Sequence, residues 1–578
     1  MSLTAPATSP DAAVPHGSRV PPPPARTVLP WLLAFLVPLT ILRLFMTGQM
    51  ELSPDEAYYT MWSERPDFAY YSKGPGVALA IKAGTAILGH TEMGVRLLSP
   101  FLSLATSLLA WGWVRRRFGE SPALLSLILL NCVPIFNVGA VVMTIDPLSI
   151  FFWMAGLAAF TRGLEEEKHA SRWWLACGLL TAAGFLCKYT NTLMLLGYVL
   201  ALIALPQGRR LARTRAPWAL LAGFAALAWA PVAWNARHGW VSADHTLHRA
   251  GNVPPGFYPL ELLKYLGMHL GVYSPLVFIL LMVALVLVLR VAFRKLPADQ
   301  CSRPCGVLSE AAAFRLLACF TGPIFLLYYG LALIKGSGEP NWTAPGCFTL
   351  ALAAGLILRR WLAQSQDGVI GAGPAWRRWV SGLGLAMGLA LSIVVTNADL
   401  LRMAGIPYPY ERDPGSRLRG WRTTAEEIER LRDKLEAETG KPVFLICSNY
   451  QVSAALTFYL PEIRRQQAAA LPHDPKTGFG APAVYMIHSE SIANQFSFWP
   501  DYLSPGSPWL GGTALFISDK ERDAPPEKLV STFDRTEPLS IFEITRRDST
   551  VRRFTVFTCR GLKEPAPGAA SPKGNQHP

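Results

Sequence analysis

Val28-Leu29-Pro30-Trp31-Leu32-Leu33-Ala34-Phe35-Leu36-Val37-Pro38-Leu39-Thr40-Ile41-Leu42-Arg43-Leu44-Phe45-Met46-Thr47 runs directly into Gly48-Gln49-Met50-Glu51-Leu52-Ser53-Pro54-Asp55-Glu56-Ala57-Tyr58-Tyr59. The first stretch is apolar over the roughly 20 residues that a helix needs to cross a bilayer. The second places two adjacent carboxylates, Asp55 and Glu56, just beyond its end. An acidic pair at the water–lipid boundary is placed to act on groups that lipids present there. The same apolar pattern recurs down the chain. Half the residues are apolar (51%), 16% are charged and the mean hydropathy is +0.26. Soluble domains carry about 25% charged residues. About eleven spans are read: 28–47, 95–114, 121–142, 147–162, 173–187, 190–206, 217–235, 273–293, 314–334, 343–358 and 379–397.

Pro75–Gly89 is shorter and contains Lys82, so it reads as an interfacial or re-entrant helix. Basic residues concentrate in alternate loops: Arg115-Arg116-Arg117; Arg162, Lys168 and Arg172; Arg209, Arg210, Arg213 and Arg215; Arg294 and Lys295; Arg359, Arg360, Arg377 and Arg378. By the positive-inside rule these loops face the cytoplasm. The Asp55–Glu56 loop and the C-terminal segment then face outward. The net charge of +14 is this topological signal spread over many loops, and nucleic acid is excluded as a partner. Residues 1–27, with Pro21-Pro22-Pro23-Pro24, read as a disordered cytoplasmic tail. A cleaved signal peptide is the rival reading of the first apolar run, but no small-x-small cleavage pattern follows it.

The expected fold is a polytopic α-helical membrane protein with a C-terminal soluble α/β domain. Residues 28–398 form the membrane domain, with an outward first loop at 48–94. Residues 399–563 form an extracytoplasmic α/β domain, and 564–578 a disordered tail. In that second domain Thr423–Glu438 and Asn449–Tyr459 read as helices. Val443–Cys447, Ala483–Ile487 and Thr513–Ile517 read as buried strands. Cys132, Cys177, Cys187, Cys319 and Cys347 read as thiols packed in the spans. Cys301 and Cys305, with no second ligand pair, are a poor metal site. Cys447 and Cys559 share the outward domain, and whether they pair is left open.

Four outward loops hold the chemistry-bearing residues. The first carries Asp55, Glu56, Tyr58, Tyr59, Trp62, Tyr70, Tyr71 and Lys73. The second carries Asp146, the third Arg237, His238, His245 and His248, and the fourth Lys335, Glu339 and Asn341. Rings with carboxylates suit a sugar, because rings stack on sugar faces and carboxylates bind or deprotonate hydroxyls. Lys73, Arg237 and Lys335 suit a phosphate. Interfacial aromatics also serve as membrane anchors, Asp146 before Pro147 suits a helix start, and Lys188 suits snorkelling.

Several stretches resemble one family. They are Pro54-Asp55-Glu56-Ala57-Tyr58-Tyr59, Tyr70-Tyr71-Ser72-Lys73-Gly74-Pro75, Asp146-Pro147-Leu148, Lys188-Tyr189-Thr190 and Asn235-Ala236-Arg237-His238-Gly239-Trp240. Asp413-Pro414, Gly420-Trp421 and Leu456–Pro461 lie beyond the spans. Their order and topology resemble bacterial GT-C glycosyltransferases of the dolichyl-phosphate-mannose protein mannosyltransferase family, which includes the lipid A aminoarabinose transferases. The resemblance implies inverting transfer of a sugar from a polyprenyl-phosphate donor to a lipid or cell-envelope glycan acceptor, at the outer face of the bacterial inner membrane. It implies Asp55 as general base, Glu56 orienting Asp55 or the acceptor or binding a cation, and Lys73 on the donor phosphate, helped by Arg237 or Lys335. Tyr58, Tyr59, Trp62 and Tyr70 line the sugar and prenyl groove, and Asp146 and His238 stand near sugar or acceptor. Relatives often place a carboxylate or His before or at the lysine position, where Ser72-Lys73 stands here. No cofactor is therefore assigned, and a divalent cation held by His238 or His245 with Glu56 is left open. A protein O-mannosyltransferase is the alternative within the class. A secondary transporter, which would show repeated halves, and a non-catalytic lipid-binding scaffold are the alternatives outside it.

Overall fold

A computed structural model describes residues 29–249, 254–294, 306–336, 338–362, 375–408, 413–471, 473, 478–504, 506–546 and 549–564. The expected tails, together with Cys301 and Cys305, lie outside the described residues, save for residue 564. The chain divides into a compact unit up to Leu39 and a second, Thr40–Pro578, that carries everything below.

The helices are α1 (Leu29–Thr47), α2 (Pro54–Glu64), α3 (Gly76–Leu88), α4 (Glu92–Arg96), α5 (Leu98–Phe118), α6 (Glu120–Cys132), α7 (Pro134–Gly139), α8 (Ile145–Glu165), α9 (Ala170–Cys187), α10 (Leu193–Ala204), α11 (Pro206–Leu211), α12 (Ala216–Arg237), α13 (Val241–Arg249), α14 (Pro259–Tyr273), α15 (Pro275–Ala292), α16 (Glu310–Lys335), α17 (Ala344–Leu362), α18 (Ala375–Thr396) and α19 (Asp399–Met403). Among the described residues nine stretches are long and apolar enough to cross a membrane. The protein is an integral membrane protein of α-helical type.

Two expected spans are interrupted. The run 121–142 breaks at Val133, which is extended before Pro134, and continues as α7. Proline supplies no backbone N–H and cannot extend a helix from its N-terminal side. The Asn137 amide donates to the carbonyls of Asn131 (2.7 Å) and Val133 (3.2 Å) at that break. The run 190–206 begins as a 3-10 turn, Tyr189–Thr192, and leaves only 12 residues of helix before Pro206. The apolar helix α3 has 13 residues, about 20 Å, which is short of the roughly 30 Å hydrocarbon core.

The basic loops gather at one end of the bundle. Buried Glu165, ending α8, accepts from Arg117 of α5 (2.7 Å), from Arg116 (3.1 Å) and from the Leu308 N–H ahead of α16 (3.2 Å). Arg360 of α17 meets Glu310 of α16 at 2.6 Å nearby in the sequence pattern. Helices α9 and α12 approach through glycines. A Cβ on Gly178 would sit 2.0 Å from the Leu220 carbonyl oxygen, and one on Gly223 would sit 2.4 Å from that of Leu175. Small residues let helix backbones pack this closely in a bilayer. Gly178→Ala is expected to destabilise the protein by about 3 kcal/mol through overpacking, read as a lower melting temperature in detergent.

Beyond the spans, α20 (Trp421–Thr439), α21 (Tyr450–Tyr459), α22 (Glu462–Ala469) and α23 (Glu527–Thr532) accompany a five-stranded sheet. Its strands are β1 (Val443–Cys447), β2 (Tyr485–Met486), β3 (Thr513–Ser518), β4 (Phe533–Arg546) and β5 (Ser549–Leu562), in the order β2-β1-β3-β5-β4. The first three pair in parallel, and β5 pairs antiparallel with β3 and β4. Residues Trp421, Ile428, Leu445, Cys447 and Val556 fill one face with α20 and α21. Phe444, Ile446, Phe516, Phe557 and Cys559 fill the other. Cys447 lies opposite Ile517 on β3, whereas Cys559 lies opposite Ala514 on β3's other edge. The two residues are therefore two strand spacings and three residues of strand apart, about 14 Å, and point to opposite faces. A disulfide needs Cα atoms within about 7 Å, so the open question of this pair is answered: both are free and buried.

This sheet portion meets the first loop directly. Glu51 accepts from the Trp421 N–H (2.5 Å), the Leu52 N–H donates to the Tyr459 hydroxyl (2.7 Å), and Arg422 pairs with Glu92 (2.6 Å). His90, between α3 and α4, packs on Phe458 with ring centres 4.2 Å apart. Burial, reinforced by the Arg465 charge, holds its imidazole down at about 4 from an ordinary 6.5. The folded state thus favours neutral His90. That contribution is complete above pH 6.5 and is lost as pH falls toward 4. Melting temperature is expected to fall across this window, and in His90→Gln the slope becomes shallower by up to about one proton.

Candidate active site

The acidic pair opens α2. Ser53 caps the helix and Pro54 occupies its first turn, where a missing N–H costs nothing. Ser53 and Glu56 form a reciprocal capping box. Capping turns Glu56 inward. Its carboxylate is fully buried and forms a two-point ion pair with Arg96, with Nε to Oε1 and Nη2 to Oε2 both at 2.7 Å. Oε1 also accepts the Met143 N–H (2.9 Å), and Oε2 the Ser53 N–H (2.9 Å) and hydroxyl (3.1 Å). Of the roles expected for Glu56, which were orienting Asp55 or the acceptor or binding a cation, enclosure by protein donors leaves no face for an acceptor or a cation. Asp55, the neighbour on the helix, is half-buried.

The aromatic residues also differ from expectation. Tyr58, Trp62 and Tyr70 are at most 5% exposed. Trp62 stacks on Tyr70 at 4.5 Å, and Tyr58 packs against Tyr450 of α21 (4.6 Å) and Phe496 (6.0 Å). The Tyr58 hydroxyl accepts the Gln495 N–H at 2.6 Å, and the Tyr70 hydroxyl donates to the Trp62 carbonyl at 2.9 Å. Burial pushes both phenols upward, so both remain protonated. These three rings form the core under the first loop rather than an open sugar platform. Tyr59, half-buried and edge-on to Trp62 at 4.9 Å, is the member of the set with accessible surface.

That core shapes the loop carrying Lys73. The Tyr70 N–H donates to the Lys73 carbonyl (2.8 Å). The Tyr71 N–H donates to the Gln495 side chain (2.7 Å), and the Ser242 hydroxyl to the Tyr70 carbonyl (3.0 Å). Gly74 sits so close to the end of α9 that a Cβ there would lie 2.4 Å from the Leu186 carbonyl oxygen. Lys73 is half-buried on this held loop. Trp234 of α12 donates to Asp67 (2.8 Å) and stacks on His238 at 3.9 Å. The His238 Nδ1 lies 2.7 Å from the Trp234 carbonyl. Arg237 is exposed at the end of α12, and Lys335 half-buried at the end of α16.

A second cluster joins the starts of α8 and α17 to the end of α9. Lys188 meets Asp146 at 2.6 Å, Asn341 donates to Asp146 at 3.1 Å, and Lys188 reaches the Asn341 carbonyl at 3.4 Å. Lys188 is thus an ion-pair partner rather than a snorkelling side chain. Asp146 also lines a cavity of about 60 Å³ with Ser103, Asn131, Phe136 and Phe348. Arg96 is the residue that sequence reading passes over. An arginine inside an apolar run was the available signal for it. As for a cation, no three His, Cys, Asp or Glu side chains converge as a metal site among the described residues. Glu56 is saturated by Arg96, Met143 and Ser53, so a cation shared between Glu56 and His238 or His245 does not fit.

Residues 72–234 match the family model described as dolichyl-phosphate-mannose-protein mannosyltransferase. The lipid A galacturonosyltransferase RgtD of Rhizobium johnstonii is 24% identical over 440 residues, covering 73% of this chain and 83% of that protein. ArnT from Cupriavidus metallidurans in the apo state superposes with a TM-score of 0.55 at 17% identity, over 92% of this chain and 98% of that one. The fold is that of ArnT. The same ArnT bound to undecaprenyl phosphate gives a TM-score of 0.53 at 16% identity, over 93% and 99% of the two chains. The likeness covers more than nine tenths of both chains.

Proposed function

We propose that this protein is an inverting glycosyltransferase. It moves a sugar from a polyprenyl-phosphate donor to a hydroxyl of a lipid or cell-envelope glycan, at the outer face of the bacterial inner membrane. The observation that carries the reading is the Glu56–Met143 hydrogen bond. It sets the start of α2, with Asp55, beside the turn that opens α8, with Asp146. The family match, and relatives that act on lipid A or bind undecaprenyl phosphate, support the substrate class. The basic loops gathered round Glu165, at the opposite end of α8 from Asp146, support the outward orientation.

In this reading Asp55 takes the proton from the acceptor hydroxyl as its oxygen attacks the anomeric carbon. The new C–O bond forms on the face opposite the departing phosphate, which leaves with the bonding pair as polyprenyl phosphate. Lys73 stabilises that charge, assisted by Arg237 or Lys335. Tyr59 is the ring left to contact the sugar, and Asp146, held by Lys188 and Asn341, and His238 border the same space.

Purified protein in lipid, given a panel of radiolabelled polyprenyl-phosphate sugars, tests the reading. A membrane lipid extract serves as one acceptor and a Ser/Thr-rich peptide as the other. Label appearing in lipid, with release of polyprenyl phosphate, is the expected outcome. Label in the peptide alone would move the assignment to protein O-mannosyl-type transfer, and no transfer from any donor would sink it.

A further inference from the structure

We infer that Arg96 and Glu56 form a positioning clamp that sets the separation of Asp55 from the Asp146–Lys188–Asn341 cluster, and that neither touches substrate. This rests on the transferase reading above. All five guanidinium N–H groups of Arg96 are used. Nε and one Nη2 hydrogen go to Glu56, and the others to the carbonyls of Thr47 (2.9 Å), Met50 (2.7 Å) and Glu51 (2.8 Å). Those carbonyls end α1 and form the strap leading to α2. Arg96 therefore fixes where the strap leaves the membrane helix, and through Glu56 it fixes the first turn of α2. Glu56 in turn holds the Met143 N–H, one residue before the α8 cap Thr144. One fully buried pair thus ties together α1, α2, α4 and the opening of α8. Burying two charges is costly, and an apolar pair of similar volume often serves stability as well or better. Retaining the ion pair here is explained by geometry, because only a planar fork with five donors serves a carboxylate and three carbonyls at once.

The test uses the full-length protein in lipid and four variants: Glu56→Gln, Arg96→Met, the double Glu56→Gln/Arg96→Met, and Arg96→Lys. Melting temperature, kcat, KM for donor and acceptor, and binding of undecaprenyl phosphate are measured for each. Each single neutralising change leaves its partner buried and unpaired, so the melting temperature falls. The double change removes both charges and regains most of it. kcat is expected to stay low, by about 100-fold, in the double variant as in the singles, since a misplacement near 1 Å costs this much. Arg96→Lys keeps the charge but loses the fork, and also lowers kcat. KM values and undecaprenyl phosphate binding remain within about twofold of wild type throughout, as a purely geometric role requires. If kcat returns with the melting temperature in the double variant, the pair only holds the fold and the inference is overturned. A folded Glu56→Gln with wild-type kcat, or one whose acceptor KM alone rises, overturns it equally. Failure of the transferase reading itself looks different, as wild-type protein that transfers no sugar.

Discussion

Asp55→Asn is expected to lower kcat by about 10³-fold, within the range that a positioned general base contributes, while the protein stays folded. The exchange is isosteric and removes only the charge and the basic lone pair. Ser53 still caps α2, Glu56 still meets Arg96, and Tyr58 still accepts from Gln495. Donor binding rests on other residues in this reading, so KM for the donor and undecaprenyl phosphate binding should be unchanged. The loss then falls on kcat and kcat/KM together, the sign of an interaction made in the transition state. Sugar transfer by Asp55→Asn and wild type, with melting temperatures in parallel, checks this. Undiminished transfer by the variant would remove Asp55 as the base and turn attention to Asp146 and His238.

Lys188→Met is expected to cost about 3 kcal/mol of stability, the low end for stripping one partner from a buried pair. Lys188 is only 8% exposed, and its ammonium serves both the Asp146 carboxylate and the Asn341 carbonyl. With methionine in its place, the stem still fills the space but the carboxylate faces apolar surface with only Asn341 to satisfy it. The ends of α8 and α9 and the turn before α17 lose their common tie. The double variant Lys188→Met/Asp146→Asn, which removes the stranded charge, is expected to recover most of the melting temperature. A Lys188→Met protein that melts like wild type would show that the pair contributes nothing to holding the three helices together.

The clamp and this cluster share one design. Each joins the start of a helix to residues far away in sequence: Glu56 to Arg96 and Met143, Asp146 to Lys188 and Asn341. The aromatic core under the first loop does the same with Tyr450, Gln495 and Phe496. The Lys73 loop is therefore held from below by the sheet portion and from the side by α9. This gives the C-terminal residues a share in shaping the first loop.

The amino-acid sequence by itself determined what short windows encode. Runs of apolar residues near bilayer length located the spans. Five-residue apolar runs located β1 and β3, whereas the Ser53-Pro54-Asp55-Glu56 capping signature that opens α2 lay unread inside the expected loop 48–94. The paired strands β4 and β5 escaped notice because β4 is an edge strand, largely exposed and rich in charge, so no buried run marks it. The breaks at Val133 and around Tyr189 were softened in the sequence by unbroken hydropathy on either side. Only the tertiary structure decided which of two adjacent carboxylates turns into the protein, because that depends on Arg96, 40 residues away. It likewise decided that Tyr58, Trp62 and Tyr70 are core, since an aromatic beside a membrane has the same local pattern whether it meets a sugar or another ring. Local composition sets which element forms and how long it runs. The partners of a polar group are chosen by helix packing over tens to hundreds of residues, and no window of sequence contains them.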